Sequence, residues 1–218
     1  MVQTRSRTKE YLTRKENRHL WYALYLIVYL IAFAVVEALI PPEICTPIHI
    51  PLDDRIPLLE GFVVPYMLWM PMILALGAVL IRKKEKDAFR RFMTYFGVAC
   101  MGALVLYILF PNRQDLRPVE LPRENLFAWV LSIVYSSDTN TNVCPSIHAI
   151  GSFAVCFAAR DARSLRKPWL QLGIRAAAFI IAVSTVFVRQ HSVLDLLLAV
   201  PYSLGMYLLV YKLLPWKS

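Results

Sequence analysis

The sequence predicts an all-α membrane protein, a polytopic bundle of six transmembrane helices, and two observations support this fold class. Of the 218 residues, 58% are hydrophobic and only 18% are charged, whereas soluble domains are nearer to half apolar and a quarter charged. The apolar residues are also gathered into runs close to the length that a bilayer-spanning helix needs, about 20 residues. Low charge, 7 glycines and 4 cysteines exclude a disordered, collagenous or disulfide-rich chain.

Each predicted helix has a recognisable end. The first run contains one ionisable residue, Glu37, and stops at Pro41, because proline cannot continue a helix interior. The second ends in the basic residues 82–84, and Pro111 closes the third. The fourth is shorter and carries His148 among polar residues, so its hydropathy is the weakest. The six predicted spans are residues 20–40, 61–81, 92–110, 145–159, 169–188 and 193–214.

The distribution of basic residues predicts how the bundle is oriented. With the N-terminus inside, 19 of the 24 Lys and Arg residues lie in inner segments and five in outer ones, which favours cytoplasmic termini. The net charge of +9 therefore indicates orientation in a cell membrane, and no nucleic-acid partner is expected. We predict a basic cytoplasmic tail, 1–19, and one multi-pass membrane domain, 20–218. Residues 126–135 are too few to span and are expected at the outer interface.

Chemistry-bearing residues fall in segment 111–195, on the predicted extracytoplasmic side. His191 and Asp195 are four residues apart and so share one helix face, where the carboxylate can orient the imidazole. The free ring nitrogen of His191 would then be a nucleophile or base, and His148 suits a general acid. Both histidines precede or begin predicted spans, and ionisable groups at such positions indicate a functional site.

Four further residues predict that this site binds an anion. Pro145 is expected at the first turn of the fourth span, which leaves the backbone N–H groups around Ser146 free for an anion, with its hydroxyl as a further donor. Arg117, Arg189 and Arg113 offer forked guanidinium groups that match phosphate oxygens. Two histidines, a carboxylate and these donors together describe phosphoryl transfer.

At these residues the chain resembles the type 2 phosphatidic acid phosphatase superfamily, the membrane relatives of vanadium haloperoxidases and bacterial acid phosphatases. The family pattern is Lys-x6-Arg-Pro, then Pro-Ser-Gly-His, then Ser-Arg-x5-His-x3-Asp. The matching residues here are Arg117-Pro118, Pro145-Ser146-x-His148, and Ser184, His191 and Asp195. The resemblance implies a six-helix fold, a phosphohistidine at His191 oriented by Asp195, leaving-group protonation by His148, and phosphate binding by Arg117 and Ser146.

The chain departs from that pattern at three positions. Phe110 stands where the family has Lys, Ile147 where it has Gly, and Thr185 where it has Arg. We expect Arg113 and Arg189 to replace the two missing cations. The run Arg189-Gln190-His191 is similar to the branch that contains inositol phosphorylceramide synthases, as is Asp53-x-x-Ile56-Pro57. Members of that branch transfer a phospho head group to a lipid hydroxyl.

The sequence therefore predicts an integral membrane hydrolase, a lipid phosphatase that acts on a lipid phosphate or an isoprenyl diphosphate among membrane lipids. It needs no cofactor in this interpretation. A phosphotransferase that uses a lipid hydroxyl is the first alternative, and a transporter for anions or lipids is the second. The transporter is disfavoured because Glu37 is the only ionisable residue within the first three predicted spans and no internal repeat is present.

Two alternatives concern the cysteines. Cys144, His148, His191 and Asp195 could instead bind zinc, but the flanking arginines would repel a dication, so no metal is expected. Cys45 and Cys144 both lie in predicted outer segments, where a disulfide between them is one open possibility.

Overall fold

The computed structural model describes residues 15–216 and is mostly helical. A 3₁₀ segment, Lys15–Ala23, precedes the first α-helix, and a π-helical turn, Leu208–Leu213, extends the last one. Residues 1–14 of the predicted basic tail lie outside the described residues. The α-helices are α1 (Leu24–Leu39), α2 (Val63–Met67), α3 (Trp69–Arg82), α4 (Lys86–Leu109), α5 (Leu126–Ser137), α6 (Ile147–Asp161), α7 (Pro168–Phe187) and α8 (Val193–Tyr207).

Within the described residues, five helical segments are long and apolar enough to cross a membrane. They correspond to five of the six predicted spans, and they identify the chain as a membrane protein. The five segments are Asn17–Leu39, Glu60–Arg82, Lys86–Leu109, Pro168–Phe187 and Val193–Leu213. As predicted, α5 is a short apolar helix of 12 residues.

The predicted fourth span differs from the other five, so the count of six is not confirmed. It forms α6, whose 15 residues extend for about 22 Å, shorter than the hydrocarbon core of about 30 Å. The physical reason is its position, because α6 packs against α3, α4, α7 and α8. A helix enclosed by other helices need not match the length or the hydropathy of one that faces lipid.

Small residues bring α6 and α4 close to their neighbours. A Cβ atom at Gly151 of α6 would overlap the indole ring of Trp69 in α3. On α4, a Cβ atom at Gly97 would lie 2.6 Å from Cβ of Tyr25, which belongs to α1. Close approach of this kind is how helices associate in lipid, where the hydrophobic effect contributes little between them.

One end of the bundle is closed by loops that are hydrogen-bonded to one another. A short strand β1 (Thr46–Pro47) pairs in parallel with β2 (Asn112–Arg113), and Arg113 also bridges Thr141. Asn112 is buried, and its Oδ1 accepts from the backbone N–H groups of Val143 and Cys144 at 2.9 and 2.8 Å. These bonds fix the chain just before α6, which is where the sequence predicts the site.

Candidate active site

A cavity of about 220 Å³ lies at this end of the bundle and contains both motif histidines. Its polar wall comes from the loop that precedes α6 and from the turn between α7 and α8. Its apolar wall comes from α1, α2 and α3. The lining residues are Tyr29, Leu30, Phe33, Tyr66, Trp69, Asp138, Thr139, Thr141, Asn142, Val143, Ile147, His148, Gln190 and His191.

His191 and Asp195 form the predicted pair, but His191 lies in the turn before α8 and not on the helix face that their spacing predicts. Nδ1 of His191 donates to Oδ2 of Asp195 at 3.1 Å, and both side chains are buried. Because a carboxylate only accepts, the proton is on Nδ1 and the lone pair is on Nε2. The same Oδ2 accepts from the backbone N–H of Ser192 at 2.9 Å, within the capping box that begins α8. The start of α8 therefore holds the imidazole in one orientation.

His148 lies on the first turn of α6 and is held by aromatic rings. The ring centroids of Tyr66 and Trp69 are each 4.6 Å from that of His148, and the ring of His191 lies 5.5 Å away and edge-on. The absence of a Cβ at Gly151, one turn further along α6, gives the indole of Trp69 its place. Among the described residues, Nδ1 of His148 has no hydrogen-bond partner.

The two helix starts that carry the histidines are joined directly. Ser146 is the N-cap of α6, where its Oγ accepts from the backbone N–H of Ala149. Its own backbone N–H donates to the carbonyl oxygen of Asp195 at 3.2 Å, and Tyr107 of α4 donates to the carbonyl of Pro145 at 2.6 Å. Ser146 is fully buried and does not line the cavity, so its observed role is to join the two helices.

Arg117 lies next to the cavity without lining it, and its terminal N–H groups are occupied. Nη1 donates to the carbonyl oxygens of Tyr135 and Asp138, and Nη2 donates to that of Thr139 and to Oε1 of Gln190. Burial lowers the pKa of the guanidinium from its usual value, while the Asp138 carboxylate opposes that shift. The guanidinium also lies over the ring of Tyr135, 5.0 Å from its centroid.

The structure places the other two predicted phosphate ligands away from the cavity wall. Nη2 of Arg189 donates to the carbonyl of Ile56 at 2.6 Å, and its backbone has φ 55°, which few non-glycine residues adopt. Arg113 donates to Asp115 at 3.1 Å and to the carbonyl of Pro42 at 2.8 Å. Both arginines hold loops together in this conformation.

Sequence reasoning missed several contributors to the site. Asp53, noted there only for its resemblance, is 1% exposed and caps α8, because it accepts from Ser192 Oγ at 2.7 Å and from the N–H of Val193 at 2.8 Å. Asp138 reaches the cavity through the loop after α5 and accepts from the Tyr66 hydroxyl at 3.2 Å. The backbone carbonyl of Ile56 accepts a hydrogen bond from Arg189. The sequence signal for Asp53 and Ile56 was the resemblance alone, and Asp138 lies in a polar run, 136–142, that does not set it apart.

The positions of the cysteines bear on the zinc site and on the disulfide that the sequence left open. All four cysteines lie in the described part of the chain and are free. Burial, and next the neighbouring Asp195 carboxylate, raises the pKa of the Cys144 thiol to about 12. Within residues 15–216, no group of three or more His, Cys, Asp or Glu side chains is placed to hold a metal ion.

Comparison of the chain with protein-family models, with curated proteins and with solved structures gives no match.

Proposed function

We propose that this protein is a membrane-embedded lipid phosphatase that hydrolyses a lipid phosphate or isoprenyl diphosphate through a phosphohistidine at His191. The observation that carries the proposal is the oriented His191–Asp195 pair, in one cavity with a second histidine. A nucleophile whose base or orienting partner lies within hydrogen-bond reach is the usual arrangement in covalent catalysis. An apolar wall from α1 beside polar groups suits a ligand with a lipid tail and a phosphate.

The first half of the reaction forms the phosphohistidine. The Nε2 lone pair of His191 forms a bond to phosphorus while the bond from phosphorus to the alcohol oxygen breaks. The electron pair of that bond goes to the alcohol oxygen, which takes a proton from the imidazolium of His148. Asp195 accepts from Nδ1–H throughout, so it stabilises the positive charge that develops on the His191 ring.

The second half returns the enzyme to its starting state. Water attacks phosphorus, gives a proton to neutral His148, and the phosphorus–nitrogen bond breaks with its electron pair returning to Nε2 of His191. Inorganic phosphate leaves and His148 is again the acid, so protons and charge balance over the cycle. A water molecule must reach the cavity for this half, whereas a transferase would place an alcohol there.

The proposal includes an arrangement in the membrane. We place both termini in the cytoplasm and the cavity on the extracytoplasmic side, with α6 as a sixth, buried crossing. The 19 to 5 distribution of basic residues supports this orientation, and the enclosure of α6 by four helices supports a crossing shorter than those that face lipid. Reporter fusions in the loops at 41–62 and 83–85 test it. A cytoplasmic 41–62 loop would contradict the orientation.

Transfer to a lipid hydroxyl is the second candidate function, and one observation favours it. Asp138 lines the cavity that holds the histidines, and a carboxylate can accept from an alcohol O–H but repels a phosphate. The alcohol would replace water as the acceptor of the phosphoryl group on His191.

One experiment separates the two functions. The purified protein is incubated with a panel of radiolabelled lipid phosphates, with and without diacylglycerol, ceramide or polyprenol. We expect free phosphate without any added acceptor. Label that stays in lipid and moves only when an alcohol is added would contradict hydrolysis and establish transfer. No turnover under either condition would contradict both.

A further inference from the structure

The cavity is short of cations for a site that binds phosphate. Of the described residues that line it, none is Lys or Arg, and Asp138 adds a carboxylate. The terminal N–H groups of Arg117 already donate to three carbonyl oxygens and to Gln190, and Arg189 and Arg113 donate to backbone carbonyls elsewhere. The Nε–H of Arg117 has no partner among the described residues, but Arg117 does not line the cavity. Phosphoryl oxygens in the cavity therefore need donors other than the terminal N–H groups of these arginines.

Gln190 is placed to be such a donor. It precedes His191, lines the cavity and is 3% exposed. Its Oε1 accepts from Nη2 of Arg117, and this assignment follows from chemistry, since a guanidinium only donates and the amide oxygen must face it. The Nε2 group, with two N–H donors, consequently faces away from Arg117. Among the described residues it has no hydrogen-bond partner.

The backbone holds Gln190 and His191 together. The backbone N–H groups of both residues donate to the carbonyl oxygen of Thr185, at 2.9 and 3.2 Å. The left-handed conformation of Arg189 turns the chain at this point. The amide and the nucleophilic ring are therefore fixed to one turn. A buried N–H group without an acceptor is costly, and a bound ligand that accepts from it removes that cost.

We infer that Gln190 is a substrate-binding residue, whose side-chain amide donates to the phosphoryl oxygens of a phosphoester while Arg117 orients and polarises that amide without touching the ligand. The inference rests on the proposed phosphoryl chemistry at His191. It assigns Arg117 a positioning role, and it places a neutral donor beside the cavity where the family pattern has cations. Such a donor strengthens its bond as charge develops on the oxygens in the transition state.

The substitution Gln190→Glu removes the N–H donors of the side chain but keeps an acceptor for Arg117. A glutamate still accepts from Arg117, so the contact between this turn and the loop before α5 remains. It presents a carboxylate oxygen where the amide had N–H groups, so it repels the phosphoryl oxygens. If the side-chain amide of Gln190 does not face the substrate and only accepts from Arg117, this variant should behave like the parent protein.

The test measures turnover of a lipid phosphate and thermal stabilisation by orthovanadate, for the parent protein and both Gln190 variants. We expect Gln190→Glu to lower kcat/KM by about 10²- to 10³-fold, the usual loss for one such donor, and to abolish the vanadate shift. Gln190→Met, which cannot donate, should lose both as well. Parent-like kinetics in whichever variant is folded would overturn the inference.

The same measurements keep this inference separate from the proposed function. An inactive parent protein that is nevertheless stabilised by vanadate, in a manner dependent on Gln190, would contradict the phosphatase and support the donor. An active parent protein whose Gln190 variants keep their activity would support the phosphatase and contradict the role of Gln190 as a donor. If both Gln190 variants are still stabilised by vanadate, that result would also contradict the role of Gln190 as a donor.

Discussion

Replacing Asp53 by alanine tests whether the loop before α2 maintains the turn that carries His191. The carboxylate of Asp53 accepts from the backbone N–H of Ile50 at 2.9 Å, from Ser192 Oγ at 2.7 Å and from the N–H of Val193 at 2.8 Å. It is buried and lies at the N-terminus of α8, where a negative charge is favourable. Asp53→Ala removes all of these interactions at once and leaves their donors without a partner.

The expected loss of stability is the sum of these interactions. Each of the three hydrogen bonds contributes about 1 kcal/mol, and the interaction of the charge with the start of α8 adds about 1 kcal/mol. The expected loss in the free energy of unfolding is therefore about 3–4 kcal/mol, a large part of a typical total. Since Ser192 and Val193 directly follow His191, we expect kcat to fall as well.

The assay is unfolding in detergent by heat or by denaturant, together with kcat and KM on the best lipid phosphate. Asp54→Ala is the matched control, because the side chain of Asp54 is 67% exposed and, within residues 15–216, its one ion pair is with His49, at 2.9 Å. A surface pair of this kind contributes about 0–1 kcal/mol. Equal unfolding curves for the Asp53 and Asp54 variants would refute the reasoning.

The remaining predictions concern the histidines, metal and Asp138. His191→Ala should remove essentially all turnover, and His148→Ala should cost about 10²- to 10⁴-fold, less with a good leaving group; an active His191→Ala protein would exclude the phosphohistidine. Turnover should survive EDTA and be inhibited by vanadate, whereas inactivation by EDTA and rescue by zinc would establish a metal site. Burial raises the pKa of Asp138, so its ionised form costs folding free energy above its unfolded pKa of about 3.9. Asp138→Asn should therefore melt higher than the parent at pH 7, by a margin that shrinks as the pH falls toward 4.

The parts of the fold that the sequence predicted are those encoded locally. Five spans are recognisable because each carries a long apolar run; four of them are exposed along most of their length, and α4 keeps such a run although it is largely buried. The pairing of His191 with Asp195 was predicted from a spacing of four on one helix face, but His191 precedes α8, so the pair depends on the turn and the capping box at the start of that helix. The fourth predicted span is different, because the burial of α6 among other helices relaxes the length and hydropathy that identify a span.

The parts that could not be predicted depend on contacts between distant segments. Arg117 was expected to face the phosphate because of its residue type, but carbonyl groups from the loop after α5 surround it. Gln190 has no chemical signature in sequence, and only its contact with Arg117 shows which end of its amide is free. Asp53 and Ser192 are 139 positions apart, so their hydrogen bond needed the assembled loops.

The short, enclosed helix α6 has a consequence for how the protein is made. A segment of 15 residues with Ser152, His148 and Arg160 gains little by entering lipid alone, since insertion is governed by hydrophobic length. In the proposed arrangement, where α6 crosses the membrane, it would enter together with α7 and α8, which surround it with protein. His148 would then reach its final position late, and the cavity would form only once the last three helices are in place.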